Sequence, residues 1–172
     1  DLDLNLNSLN FTKLYNYFLS FDDDRKKNLF KISNKINGNL NLSSDKIYSS
    51  YNLVKSFESQ LKFNNGNILI EQFLINLGKL GAADVVGEIN NNNKFTNFKY
   101  ESNIFVDNRK KFLSKFGIYN KKDFPSNIYV LGNFNLESLK NSFYELSDDK
   151  KLSNADTNYI ENEFNDSMLE EG

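Results

Sequence analysis

Few residues in this 172-residue chain are equipped to do chemistry. There is no Cys and no His, which removes thiol nucleophiles, Ser-His and Cys-His dyads, and zinc sites built on those side chains. Neighbouring carboxylates occur in Asp22-Asp23-Asp24, Asp148-Asp149 and Glu170-Glu171. A catalytic carboxylate needs burial or a partner to set its proton affinity. These lie in polar connections or at the end of the chain, so a solvated role is expected. The triple Asp lacks the alternating Asp-x-Asp-x-Asp-Gly spacing of a calcium loop. Gly78-Lys79-Leu80-Gly81 lacks both the spaced glycines and the Gly-Lys-Ser/Thr ending that hold phosphate, and reads as a tight turn. No catalytic residue, metal ligand or cofactor is expected, and the chain is read as a non-enzyme.

Any binding surface must therefore come from the folded elements themselves. A hydrophobic content of 39% beside 26% charged residues suits a folded domain rather than a disordered one. The net charge of −2, with Lys and acidic residues interleaved, leaves no basic face and excludes nucleic acid as an expected partner. No run of about 18 apolar residues is present to span a bilayer. The 30 Asn residues, with much Lys, Ile, Phe and Tyr, are explained first by an AT-rich genome. The chain opens at Asp1 within a strand pattern and without an initiator Met, which we read as an excised segment of a longer protein.

Leu2, Leu4 and Leu6 alternate with polar residues, the mark of a strand with one apolar face. Phe11, Leu14, Tyr15, Phe18 and Leu19 recur at helical spacing behind Asn10, a candidate N-cap. Residues 21–30 form a charged connection. Ile32, Ile36, Leu40 and Leu42 share one parity and predict a second half-buried strand. Strand patterns at 57–63 and 68–75 flank Asn64-Asn65-Gly66-Asn67, and Asn-Gly between alternating runs is the strongest short hairpin signal. Further strands are expected around Val85 to Ile89, 98–106 and 128–136, with 139–146 leaning to strand. A helix carrying Phe112, Leu113 and Phe116 follows Asp107 as N-cap and ends at Gly117, and Pro125 opens the strand after it. Residues 90–93 read as a polar turn. Ser153 with Asp156 forms a capping box for a C-terminal helix bearing Tyr159, Ile160, Phe164 and Met168.

Residues 11–44 and 105–138 align without a gap at an offset of 94, matching Phe11/Phe105, Phe18-Leu19-Ser20/Phe112-Leu113-Ser114 and Gly38-Asn39/Gly132-Asn133. A repeated unit that cannot bury its own apolar face must stack on neighbours. The expected fold is mainly β: an antiparallel, curved β-meander sheet or groove with short inserted helices and a C-terminal helix. Its long apolar face must be covered by helix, by a second sheet, or by a ligand. The helices around Leu14 and Leu113 are expected to cover part of it. A sandwich core and a groove for acyl chains are the two candidates for the rest.

The stretch LKFNNGNILIEQFLINLGKLGAADVVGEI, residues 61–89, resembles the AsmA-like domains of Gram-negative envelope proteins. Those domains show a strand, an Asn-Gly or Asp-Gly hairpin, a strand, a small-residue turn like that at 78–83, and a strand ending like Val86-Gly87-Glu88-Ile89. Ile36-Asn37-Gly38-Asn39-Leu40-Asn41-Leu42 is similar to their Gly-containing lead strand, and Phe112 to Gly117 followed by Val130-Leu131-Gly132-Asn133-Phe134 resembles an inserted helix and the next repeat. The resemblance covers about 2–146 and implies an AsmA-like β-repeat domain over 1–146, with a linker and amphipathic helix over 147–172. It further implies a periplasmic segment of an inner-membrane-anchored parent protein that moves phospholipid and supports outer-membrane assembly and integrity. The partners implied are phospholipid acyl chains and, through the parent, the inner and outer membranes. On this reading the groove is lined by Leu40, Leu42, Leu61, Phe63, Ile68, Ile70, Phe73, Ile75, Val85 and Ile89, without assignment of which sheet face lies inside. The alternative is a structural or adhesive β-sandwich module of a cell-surface protein.

Overall fold

The computed structural model describes residues 1–49, 52–90, 96–115, 119, 125–148 and 150–170, and of residues 27 and 167–170 the backbone alone. The fold is mainly β. One open sheet of eight strands runs in the spatial order Leu2–Leu6 (β1), Gly38–Ser44 (β3), Ser56–Asn64 (β5), Asn67–Asn76 (β6), Gly81–Asn90 (β7), Asn97–Val106 (β8), Asn127–Asn135 (β9) and Lys140–Ser147 (β10). Leu9–Asn10 (β2) and Ile47–Tyr48 (β4) pair separately as a two-stranded ribbon.

Within the large sheet every pairing from β3 to β10 is antiparallel, and apart from the step from β3 over β4 to β5 each joins consecutive strands, as in a meander. Asn65 at φ 50 and Gly66 at φ 84 turn β5 into β6, the left-handed pair that a two-residue hairpin demands. Bulges interrupt the β5–β6, β6–β7 and β9–β10 registers, and bulges bend a sheet and raise its twist. Gly81, at φ 142, opens β7 where an added Cβ would overlap the Phe105 carbonyl.

The sheet departs from the expected all-antiparallel meander at one edge: β1 runs parallel to β3. A parallel pair needs a crossover, supplied here by β2, Phe11–Leu19 (α1) and Asp23–Leu29 (α2) between the two strands. Helix α2 lies where the sequence pointed to a plain charged connection. Asp22 caps it, its Oδ1 accepting from the Arg25 N–H at 2.8 Å. Asp23 and Asp24 occupy the first turn, where the helix dipole favours anions. The first acidic cluster therefore starts a helix.

Strand β3 begins only at Gly38, so Ile32 and Ile36 precede it in a turn region. Asn10 caps α1 as expected. For Arg109–Ser114 (α3) the cap is Asn108, one residue beyond Asp107: its Oδ1 accepts from the Lys111 N–H at 3.0 Å. Strand β9 starts two residues after Pro125. The expected turn at 90–93 falls mostly, and the helix end at Gly117 wholly, outside the described residues. The box at Ser153 and Asp156 caps Asn154–Glu170 (α4), with the Asp156 N–H donating to Ser153 Oγ at 3.2 Å. In the aligned segments, Gly38 opens β3 at φ 158, whereas Gly132 sits inside β9.

Buried apolar residues concentrate at one end of the sheet. Leu77, Leu80, Ala83, Val106 and Leu113 lie where the 3-10 turn Gly78–Leu80 and α3 meet the ends of β6, β7 and β8. Leu113 is buried there, where α3 meets the 3-10 turn, whereas Leu14 on α1 is 50% exposed.

Candidate functional site

Residues directly opposite one another in a ladder share a face. The registers carry one face without interruption from β1 to β10. Leu40 and Leu42 stand opposite Leu61 and Ser59, and Leu61 and Phe63 stand opposite Ile70 and Ile68. Beyond the bulge, Phe73 and Ile75 rejoin the same side opposite Ser59 and Phe57. Ile68 meets Ile89 and Phe73 meets Val85. All ten residues predicted to line a groove thus lie on one side of the sheet. Ile68 and Ile89 are buried and the other eight are half-buried.

The same face extends further than the prediction. Leu2, Leu4 and Leu6 join it through β3, and Phe98, Ile104, Val130, Phe134, Phe143 and Leu146 through β8 to β10. Strict parity was the available signal in β1, β8 and β9, whereas Phe143 and Leu146 differ in parity and share the face only through the bulge between Phe143 and Glu145. The other side carries Asn39, Asn41, Glu58, Gln60 and Lys62, all exposed. A shallow depression of about 620 Å³ lies there as well, floored by Leu69, Val86 and Leu131 and rimmed by Glu88, Lys99 and Glu101. Of the ten predicted lining residues only Ile70 borders it.

Across the middle of the apolar face runs the row Ile70, Gly87, Tyr100, Gly132 and Phe143. The glycines leave room for rings to lie down. A Cβ on Gly132 would sit 2.7 Å from the Tyr100 hydroxyl, and one on Gly87 would sit 2.8 Å from the Phe98 ring. Phe98 and Tyr100 stack at 5.2 Å. The Tyr100 hydroxyl crosses Gly132 and donates to Asn141 Oδ1 at 2.9 Å, while Asn141 Nδ2 has no partner. Asn141 is 2% exposed. Burial raises the Tyr100 pKa above its ordinary value, the Asn141 side chain opposes that, and the charge of Glu161 adds to it.

Helix α4 closes the β10 side of this face. Asn165 Oδ1 accepts from the Asn141 N–H and Asn165 Nδ2 donates to the Asn141 carbonyl, both at 2.8 Å. Glu161 Oε2 accepts from the Phe143 N–H at 2.7 Å. The rings of Phe143 and Phe164 meet edge to face at 5.7 Å. Among the described residues no strand is paired to the outer side of β10 beyond the single bridge from Ser147 to Lys151, and these side chains stand in for one.

The second layer that the sandwich alternative requires is not seen among the described residues, where the only other sheet is the two-residue ribbon β2–β4. Groups of acidic side chains placed to hold a metal ion are likewise absent among the described residues. Asp148 accepts from the Lys150 N–H, and Asp149, Glu170 and Glu171 fall outside the described side chains. What the arrangement offers a ligand is apolar area, with directional groups confined to one margin. Comparison with protein-family models, with curated proteins and with solved structures gives no match.

Proposed function

We propose that this chain is a lipid-handling β-segment of an AsmA-like envelope protein, working in the periplasm of a Gram-negative bacterium within an inner-membrane-anchored parent. Its non-enzymatic task is to hold phospholipid acyl chains against one face of the sheet during transport that maintains the outer membrane. The observation that carries this reading is the continuous apolar face on which all ten predicted lining residues converge. Among the described residues the only other sheet is the two-residue ribbon β2–β4, too small to form a second layer. Acyl chains on such a face are held by area, at about 0.8 kcal/mol per buried CH₂, rather than by directional bonds.

The test is native mass spectrometry with lipid extraction on the chain purified from a Gram-negative periplasm. Ile70→Asp, at the centre of the apolar face, is expected to lose co-purifying phospholipid. Gln60→Asp, on the opposite face, is expected to keep it. Both variants need an unchanged circular dichroism spectrum for the comparison to count. Equal lipid in the two, or none in the parent chain, removes the proposal.

A further inference from the structure

The outer edge of β1 is bare: no strand pairs with it among the described residues, and Asp3, Leu4 and Asn5 are exposed. The sequence along it, Asp1-Leu2-Asp3-Leu4-Asn5-Leu6-Asn7, is nearly a palindrome about Leu4. We propose that β1 pairs antiparallel with β1 of a second copy of this chain, about a two-fold axis through Leu4. A two-fold axis perpendicular to the sheet keeps each face on its own side. The apolar faces of the two copies then run on as one surface.

The register follows from the side chains. With Leu4 opposite its own copy, Leu2 meets Leu6 and all six leucines fall on the apolar side. On the polar side Asp3 meets Asn5. Sliding one copy by two residues so that Asp3 faces Asp3 sets like charges directly opposite, which destabilises a ladder. A slide by one residue sets leucine against Asp or Asn and breaks both faces.

The Asp–Asn chemistry this register needs is already used on the inner side of β1. Asn41 Nδ2 donates to Asp3 Oδ1 at 2.6 Å, and Asn39 Nδ2 donates to Asp1 Oδ1 at 2.9 Å. Asp3 keeps a second carboxylate oxygen for the copy's Asn5. Asn5 spends one amide hydrogen on Asp45, at 3.4 Å, and keeps the other. The opposite edge cannot compete for β1, because Glu161 and Asn165 of α4 occupy the backbone of β10. Pairing therefore closes at two copies instead of propagating. Five-residue strands bury less than a standard interface, so the dimer is weak and concentration-dependent.

Because the chain has no cysteine, single substitutions read the register directly. Leu4→Cys places two sulfurs on the two-fold axis, within the span a disulfide bridges, and mild oxidation is expected to give a covalent dimer. Leu2→Cys sets its sulfurs four residues apart, about 13 Å, and is expected to stay uncrosslinked. In sedimentation over a concentration series, the unmodified chain is expected to approach twice its monomer mass. Leu4→Lys is expected to remain monomeric, and mixing it with Leu4→Glu is expected to restore the dimer. A monomer at every concentration overturns the proposal and leaves the edge to a strand of another sequence. Equal crosslinking at positions 2 and 4, or a dimer indifferent to Leu4→Lys, overturns it too.

Discussion

The two edges of the sheet solve the same problem differently. Each presents backbone N–H and C=O groups with no further strand of the sheet beside them among the described residues, a template for unwanted pairing. At β10 the backbone of Asn141 and Phe143 is satisfied by Asn165 and Glu161, one helical turn apart on α4. At β1 no strand among the described residues pairs with the outer side, which carries the charge of Asp3 beside the exposed Leu2 and Leu4. The comparison teaches that a short helix closes a sheet without a ninth strand, provided two polar side chains at i and i+4 match the strand's own spacing. It also makes the sheet directional, able to grow at β1 and stopped at β10.

The sharpest way to break this comparison is one substitution made at both ends. Leu146 on β10 is 5% exposed and Leu4 on β1 is 45% exposed, on the same face of the sheet. Leu146→Lys buries a charge without a partner and is expected to cost about 3 kcal/mol or more. Leu4→Lys is expected to change the stability of the monomer by less than about 0.5 kcal/mol. Urea denaturation of the two variants, at concentrations low enough to keep the chain monomeric, measures the difference. Similar losses at both ends mean that β1 is covered in solution.

A smaller effect isolates the helix. Glu161→Ala together with Asn165→Ala removes three hydrogen bonds to the β10 backbone, one of them to a charged acceptor. The expected loss is about 2–3 kcal/mol. Amide hydrogen exchange should rise selectively at Asn141 and Phe143 and leave the Asn65-Gly66 hairpin unchanged. Unchanged exchange at both amides means that they are protected by something other than α4.

Much of the sheet could be read from parity alone. Alternating leucines, isoleucines and phenylalanines named the ten lining residues, and the Asn65-Gly66 pair named the hairpin; parity alone would set Phe73 and Ile75 on the side opposite Ile68 and Ile70, and the unpredicted bulge between Ile70 and Phe73 brings them back to one face. The direction of β1 was not readable, because five alternating residues look the same parallel or antiparallel; only the crossover behind them decides. Helix α2 was missed although its cap was visible: Asp22 stands three residues before Arg25, but three acids followed by Arg25-Lys26-Lys27 look like a solvated run. The edge cap left no sequence signal at all. Glu161 and Asn165 cannot be told from ordinary exposed helix residues until β10 is placed beside them, and a genome rich in Asn hides one functional amide among thirty.

The gentlest test of the capped edge reads Tyr100 as a reporter. Its pKa is raised by burial first and by the Glu161 charge beside the β10 edge, while Asn141 acts the other way. That opposition has a geometric basis, since the unpartnered Asn141 Nδ2 can turn to donate to a phenolate. The sign for stability follows from linkage. Below the ordinary tyrosine value of about 10, both folded and unfolded chains keep the proton and Tyr100 contributes no pH dependence. As pH rises past that value the unfolded chain ionises first, so stability falls until the folded pKa is passed. Glu161→Gln keeps an acceptor for the Phe143 N–H but removes the charge, so the Tyr100 titration should move down toward the ordinary value and stop short of it, because burial remains. Ultraviolet titration against Tyr100→Phe assigns the signal. A titration that Glu161→Gln does not move would mean that α4 stands away from the edge in solution, and the two edges would then be alike.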